Sequence, residues 1–319
     1  MSNSDLSVLV VGGTGFIGRS VIRKLLAGGF QTTALALTGR GQADRLSSVA
    51  GLNVLAVPSA SPADLGDGLA GRRFDYIVNL ASAGVDPADR TAEALEDGNS
   101  VFLTRLLEAV SAHPPTLFIH AGSWSEYAPP IDQTPISEDH RLDHDAGYGG
   151  AKANAERDGS ACAAGLGIAF VTLRLFHIYG PGEPEHRLTP YLLSTLASGQ
   201  IAELSPGDQV RDFVFIDDAA EAFIAALNAG QRLAGGAYNV CSATPVSVRH
   251  VVETLADILG RPHDTLHFGA LPPRPDEAAW VVGDNGNFEK ATGWRPGHNL
   301  EQGLKKTVTA ARAGDNGHG

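Results

Sequence analysis

The sequence is short of cysteine, of basic residues and of long apolar runs, and each shortage closes off a class of protein. Of 319 residues only two are cysteine, Cys162 and Cys241, far apart and outside any CxxC pair. They make no disulfide framework and no zinc knuckle, and both are expected as reduced thiols among small or apolar neighbours. Lysine and arginine number 24 against 36 aspartates and glutamates, a net charge of -12. The basic residues are scattered, so no nucleic-acid partner is expected. An anionic ligand stays open, because a few placed arginines hold a phosphate locally. No stretch approaches the roughly 18 consecutive apolar residues of a membrane helix. Met1 to Ser7 is polar and lacks the basic and apolar regions of a signal peptide, so a cytoplasmic protein with no membrane partner is expected. The 11 histidines form no HExxH and no Cys/His cluster, and no catalytic metal is expected.

What is present is a 43% apolar share in a length that supports a sizeable core. Short apolar runs at 7–11 (SVLVV), 32–37, 55–57, 76–81 (YIVNLA), 116–120 (TLFIH) and 169–175 read as strands. Helices are expected at 19–27, 92–111 and 149–164. This alternation predicts an α/β protein, a Rossmann doubly wound parallel sheet. After Tyr179 the pattern breaks at Gly180-Pro181-Gly182, and a helical patch (190–198) and a Pro-rich stretch (262–275) follow. The expected organisation is a dinucleotide-binding domain over 1–178, with a return segment near 211–240. A smaller α/β substrate lobe follows from 179–210 and 241–312, then a disordered tail at 313–319.

The segment VLVVGGTGFIGRSVIRKLL places Gly12, Gly15 and Gly18 between the first strand and the first helix. Glycine there permits a tight turn, close approach of backbone to a pyrophosphate, and close helix–strand contact. The helix N-terminus offers N–H groups and positive dipole to phosphate. A glycine triplet alone is a weak signal; the flanking strand, helix and second strand make it a dinucleotide-binding turn. That second strand, Thr33-Ala34-Leu35-Ala36-Leu37, lacks the acid that bonds the ribose 2′-hydroxyl in NAD sites. Ala36 holds the acidic position and Arg40 follows, which suits a 2′-phosphate. NADP(H) is therefore favoured and NAD(H) is the alternative, with Arg40 then a solvated loop residue.

Tyr148 and Lys152 form Y-G-G-A-K, a spacing that puts both side chains on one face of a helix. A free tyrosine titrates at about 10, and a neighbouring ammonium favours its phenolate. Tyr148 is thus the candidate to exchange a proton with a substrate oxygen, and Lys152 the candidate to tune it and hold the nicotinamide ribose. A hydroxyl just past the 116–120 strand lies where ligands of such sheets bind. The run Gly122-Ser123-Trp124-Ser125-Glu126-Tyr127 offers Ser123 or Ser125.

The segments GGTGFIG (12–18), NLAS (79–82), Asn99, GSWSEY (122–127), YGGAK (148–152), LRLFHIYGPGE (173–183), RDFVFIDDAAEA (211–222), YNV (238–240) and ATGWRP (291–296) span nearly the whole chain. In that order they resemble the extended short-chain dehydrogenase/reductases, the NAD-dependent epimerase/dehydratase family acting on nucleotide sugars. In that family the catalytic Ser or Thr stands four residues before a tyrosine that matches Tyr127, so the resemblance selects Ser123 beside Tyr148 and Lys152. It implies a cofactor site that includes Phe16, Ile17, Leu80, Ala81, Ser82 and Asn99 as well as the glycine turn. It also implies that Arg211 and Arg274 grip the substrate's pyrophosphate, the plain alternative being ordinary ion pairs. A homodimer through two helices per subunit follows from the resemblance alone.

Three departures matter. The family's 4,6-dehydratases carry Asp-Glu directly after the catalytic threonine; here Trp124 and Ser125 stand there, which ranks dehydration low. His177 replaces a frequent Asn and either contacts the substrate or packs beside the nicotinamide. The usual VYG reads Glu126-Tyr127-Ala128, so the loop under the sugar is expected to differ. Glu138-Asp139 and Asp143-His144-Asp145 read as solvated loop charges. The leading expectation is a nucleotide-sugar 4-ketoreductase or C4 epimerase. A reductase of a non-sugar carbonyl is the second reading, and a catalytically inactive dinucleotide sensor the third.

Overall fold

The computed structural model describes residues 2–38, 46–86, 90–145, 147–273 and 277–314. In chain order the strands are β1 (Ser7–Val11), β2 (Gln31–Leu37), β3 (Asn53–Val57), β4 (Tyr76–Asn79), β5 (Leu117–Ser123), β6 (Phe170–Leu175) and β7 (His177–Tyr179). They continue as β8 (Ala202–Leu204), β9 (Val210–Phe215), β10 (Ala237–Val240), β11 (Pro245–Ser247), β12 (Leu266–Phe268) and β13 (Trp280–Val281). The helices are α1 (Phe16–Ala27), α2 (Pro62–Leu69), α3 (Ala92–Glu96), α4 (Phe102–Val110), α5 (Gly147–Leu166), α6 (Leu188–Ala197), α7 (Ile216–Ala229), α8 (Val248–Leu259), α9 (Gly286–Thr292) and α10 (Leu300–Arg312).

Seven strands form one parallel sheet in the order β10-β6-β5-β4-β1-β2-β3. This is the expected Rossmann-type architecture, and the strand order reverses between β1 and β4, the switch point where such sheets bind ligands. The sheet is buried on both faces, which is why its strands read as unbroken apolar runs. Along β1, Val8 and Val10 enter the core shared with α1 and α7, while Leu9 and Val11 enter the core shared with α2, α4 and α5. A third core, around Leu192, Phe215, Val252 and Leu304, ties α6, α8 and α10 to β9. A small sheet, β11-β9-β13 with β7 on β9, and the pair β8–β12 complete the fold. Phe288 and Trp294, late in the chain, pack into the first core.

Three local features depart from the sequence reading. The helix expected over 92–111 is interrupted by a π-helical turn at Asp97–Val101, where Asn99 is buried. Such turns reposition side chains at functional sites. Pro62–Leu69 is helical although Gly66 and Gly68 obscure its pattern; Ser61 Oγ caps it by accepting the Asp64 N–H at 3.1 Å. The third is β5, which runs three residues further than the apolar run, to Ser123. The tail expected to be disordered lies, from residue 315 onward, outside the described residues.

Candidate active site

At the switch point Gly12 has φ of +83°, and a Cβ there would stand 2.7 Å from the Ala81 amide nitrogen. Only glycine permits that approach of the β1 turn to the β4 turn. No side chain caps α1 at Gly15. The first-turn amides are therefore left for an anion, and the residues present fit the phosphates of a dinucleotide. Gly12, Gly15, Phe16, Ile17 and Gly18 line one wall of a cleft of about 2450 Å³, and Leu80, Ala81 and Ser82 line it beside them. Ser123, Trp124, Tyr148, His177 and Arg211 line the same cleft. Lys152 and Asn99 stand behind its wall, 2% and 3% exposed. Asn99 Nδ2 donates to the Leu95 carbonyl at 2.7 Å, and its Oδ1 accepts from Ser82 Oγ at 3.0 Å. The π turn thereby holds the loop after β4. Arg40 and Arg274 lie outside the described residues.

Helix α5 carries Tyr148, Lys152 and Glu156 on one face. Its start presses on the turn after β5: a Cβ at Gly149 would stand 1.9 Å from the Ser125 carbonyl oxygen. Tyr148 Oη is 3.5 Å from Ser82 Oγ, and the Arg90 guanidinium lies 5.3 Å from its ring centroid. Burial raises the phenol above its ordinary value, while Ser82, Arg187 and Arg90 pull it down. The expectation that Lys152 lowers it is corrected: Lys152 Nζ turns instead to the Ala121 carbonyl at 2.7 Å and lies 3.4 Å from His120 Nε2. Burial lowers the Lys152 ammonium, opposed by Glu126 and Glu156.

His120 was silent in the sequence. Asn79 Oδ1 accepts the Ala81 N–H at 3.2 Å, and Asn79 Nδ2 lies 3.2 Å from His120 Nδ1, so the ring is held between Asn79 and Lys152. Burial first, and Lys152 second, hold His120 neutral.

The two rival serines are hydrogen-bonded to each other, Oγ to Oγ at 2.8 Å, and Ser123 Oγ also accepts the Ser125 N–H at 3.2 Å. Trp124 stacks on His177, and Phe213 flanks the imidazole at 5.9 Å. Burial, with Arg211 adding to it, lowers His177 to about 3. Arg211 donates to Glu277 Oε1 and to the Val210 carbonyl, each at 2.8 Å. Glu138, expected as a solvated charge, instead accepts the Asn239 N–H at 2.9 Å and Asn287 Nδ2 at 2.7 Å. Arg174, Glu156 and Glu126, buried beneath the site, also went unread; the i, i+4 continuation from Lys152 to Glu156 was the one available signal. Among the described residues no helix is long and apolar enough to cross a membrane.

The model of the NAD dependent epimerase/dehydratase family matches residues 8–241. The chain belongs to that family. It is an enzyme of the extended short-chain dehydrogenase type. The dTDP-6-deoxy-L-talose 4-dehydrogenase (NAD(P)(+)) of Kitasatospora kifunensis is 31% identical to this family member, across 95% of each chain. The UDP-glucose 4-epimerase of Corynebacterium glutamicum is 26% identical, across 92% of each. Among solved structures, a double mutant of DesIV, a dTDP-glucose 4,6-dehydratase from Streptomyces venezuelae with NAD and DAU bound, superposes with a TM-score of 0.84. It is 25% identical and covers 96% of this chain and 97% of its own.

Proposed function

We propose that this enzyme reduces the C4 ketone of a nucleotide-linked sugar, with NADPH favoured as donor. The observation that carries the reading is the turn after β5. Trp124 is stacked on a neutral His177, and Ser125 is bonded to Ser123, so that turn offers no acid/base pair for eliminating water. The Kitasatospora relative is named for redox chemistry at position 4 of a sugar, and for either NAD or NADP. The absence of an acid on β2, where Ala36 holds the expected acidic position, supports NADP(H).

A nicotinamide cofactor held by the Gly12–Gly18 turn and by Leu80, Ala81 and Ser82 would supply the hydride. Tyr148 gives its proton to the ketone oxygen, and Ser123 holds that oxygen by a hydrogen bond, so the ketone becomes a secondary alcohol. Tyr148, which lines the cleft, regains its proton from solvent, while the Lys152 ammonium, bonded to the Ala121 carbonyl, holds the end of β5 that carries Ser123. Arg211, released from Glu277, holds the sugar's diphosphate. Leu80, Ala81 and Ser82 and the glycine turn hold the dinucleotide, and Asn99 fixes Ser82. The division at 1–178 and the lobe from 179–210 and 241–312 belong to this proposal, as do a homodimer and a cytoplasmic setting.

The C4 epimerase reading is second, and the Corynebacterium relative favours it. A nucleotide-linked 4-keto-6-deoxyhexose, supplied with NADPH or NADH, should discharge the reduced-nicotinamide absorbance. Tyr148→Phe should lower that rate at least ~100-fold with cofactor affinity kept. An epimerase would instead invert C4 of a nucleotide hexose with no net absorbance change. Turnover with no such sugar under either cofactor would sink both readings.

A further inference from the structure

Glu126 is fully buried, yet no step above uses it. It stands three residues past Ser123, in the short turn against which α5 packs. Its Oε1 accepts the Ser123 N–H at 2.6 Å, so it fixes the backbone of the residue that holds the substrate oxygen. A Cβ on Gly122 would stand only 2.8 Å from Glu126 Oε1, so glycine at that position leaves the space the carboxyl occupies. Its other oxygen, Oε2, is buried without a hydrogen bond.

The charges facing it are few. From β6 comes Arg174, whose Nε is 3.3 Å from Glu126 Oε2. That guanidinium is already committed: Nε and Nη2 both donate to Glu156, and Nη1 donates to the Tyr127 hydroxyl at 2.9 Å and the Glu138 carbonyl at 3.2 Å. Arg174 thus lies between two carboxyls, Glu156 and Glu126, one cation facing two acids. Helix α5 contributes Glu156, Lys152 and the Tyr148 phenol, and the turn itself contributes Tyr127. The remaining cation is Lys152. It bonds the Ala121 carbonyl and faces the His120 ring, and none of its hydrogen bonds is to a carboxylate. Two acids and two cations thus share one compartment, with Arg174 against both Glu156 and Glu126, and with Lys152 and Glu126 each hydrogen-bonded to the backbone of the last residues of β5.

We propose that Glu126 is a positioning residue that sets the Ser123 amide with one carboxyl oxygen and, through its charge, keeps Lys152 an ammonium. The inference rests on the reductase reading for its kinetic consequence only. Burial and Glu156 push the carboxyl up to about 8, and Lys152 and Arg174 pull it down. Its ionisation thus falls in the working range and supports the Lys152 proton on the alkaline side.

The test is Glu126→Gln, which keeps an oxygen for the Ser123 N–H and removes the charge. The alkaline limb of kcat/KM should move down by about one pH unit, giving ~10-fold lower activity at pH 9 and little change at pH 6.5. Glu126→Asp keeps the charge and should keep the limb. The substrate-independent reading is the Lys152 13Cε shift in 13C-lysine-labelled protein, assigned by its loss in Lys152→Met. Its titration midpoint should fall in Glu126→Gln and hold in Glu126→Asp. An unchanged Lys152 midpoint in Glu126→Gln, or the same drop in both variants, overturns the proposal. The NMR outcome stands even if no keto-sugar is turned over, so failure of the substrate reading is seen separately.

Discussion

Trp124 lies nearly face to face with His177, ring centroids 4.6 Å apart and planes 26° from parallel. The contact joins the residue after Ser123 to the start of β7, and it puts an indole on an imidazole that lines the cleft. An imidazole so covered loses the water that would stabilise its charged form.

His177 should therefore stay neutral across the working range. Its ring NMR shifts should be flat from pH 5 to 9, and kcat/KM should show no limb from it. Trp124→Ala admits water, so the ring should begin to titrate towards its ordinary value near 6.5. A wild-type His177 titrating at pH 6 would contradict the stack's role.

Arg211 is held by Glu277 at 2.8 Å, on the wall of the cleft. A diphosphate competes for that guanidinium better than one carboxylate does. Arg211→Ala should raise KM for a nucleotide sugar at least ~10-fold and leave reduction of a small free carbonyl compound unchanged. An equal loss on both substrates would assign Arg211 a purely structural role.

Asn99 joins the π turn to Ser82 and Ala83. Asn99→Ala strips partners from buried groups, a cost of about 1–3 kcal/mol. Thermal unfolding should shift down by several degrees, and kcat should fall with Ser82 no longer held beside Tyr148. A variant as stable as wild type would show that water replaces the side chain.

Glu183 carries a raised carboxyl, pushed up to about 7 by burial against the pull of Arg187, Thr189 and the Gly180 N–H. Its folded state holds a proton that the unfolded state has lost above about 4.5. Its contribution is thus complete below 4.5 and disappears as pH rises through 7. Glu183→Gln does not titrate, so its melting temperature should fall less between pH 5 and 8 than that of wild type. Parallel melting curves against pH would rule this out.

The turn at Gly12–Gly18 was legible because its function is local: strand, glycines and helix are adjacent in the chain. Tyr148 and Lys152 were legible for the same reason, since helical spacing alone puts them on one face. The choice of Ser123 over Ser125 came from the family resemblance alone, and the structure bonds the two together. His120, Glu126 and Arg174 gave no signal, because a buried polar residue differs from a solvated one only in the neighbours it meets. Glu138 was misread for that reason: Asn239 and Asn287, which bond it, are about 100 and 150 residues further along.

The sequence by itself determined the doubly wound sheet, the glycine turn at its switch point and the Tyr148/Lys152 helix face, since period and spacing are properties of neighbours along the chain. Trp124 and Ser125, where a dehydratase has two acids, could also be read from the string. What only the tertiary structure decided is where charge resides. Lys152 faces the Ala121 carbonyl and His120 rather than Tyr148, Arg174 is shared between Glu156 and Glu126, and Glu126 is buried behind Ser123. Electrostatics in a dry interior depends on distances across the sheet, and no pattern along a strand or helix encodes them.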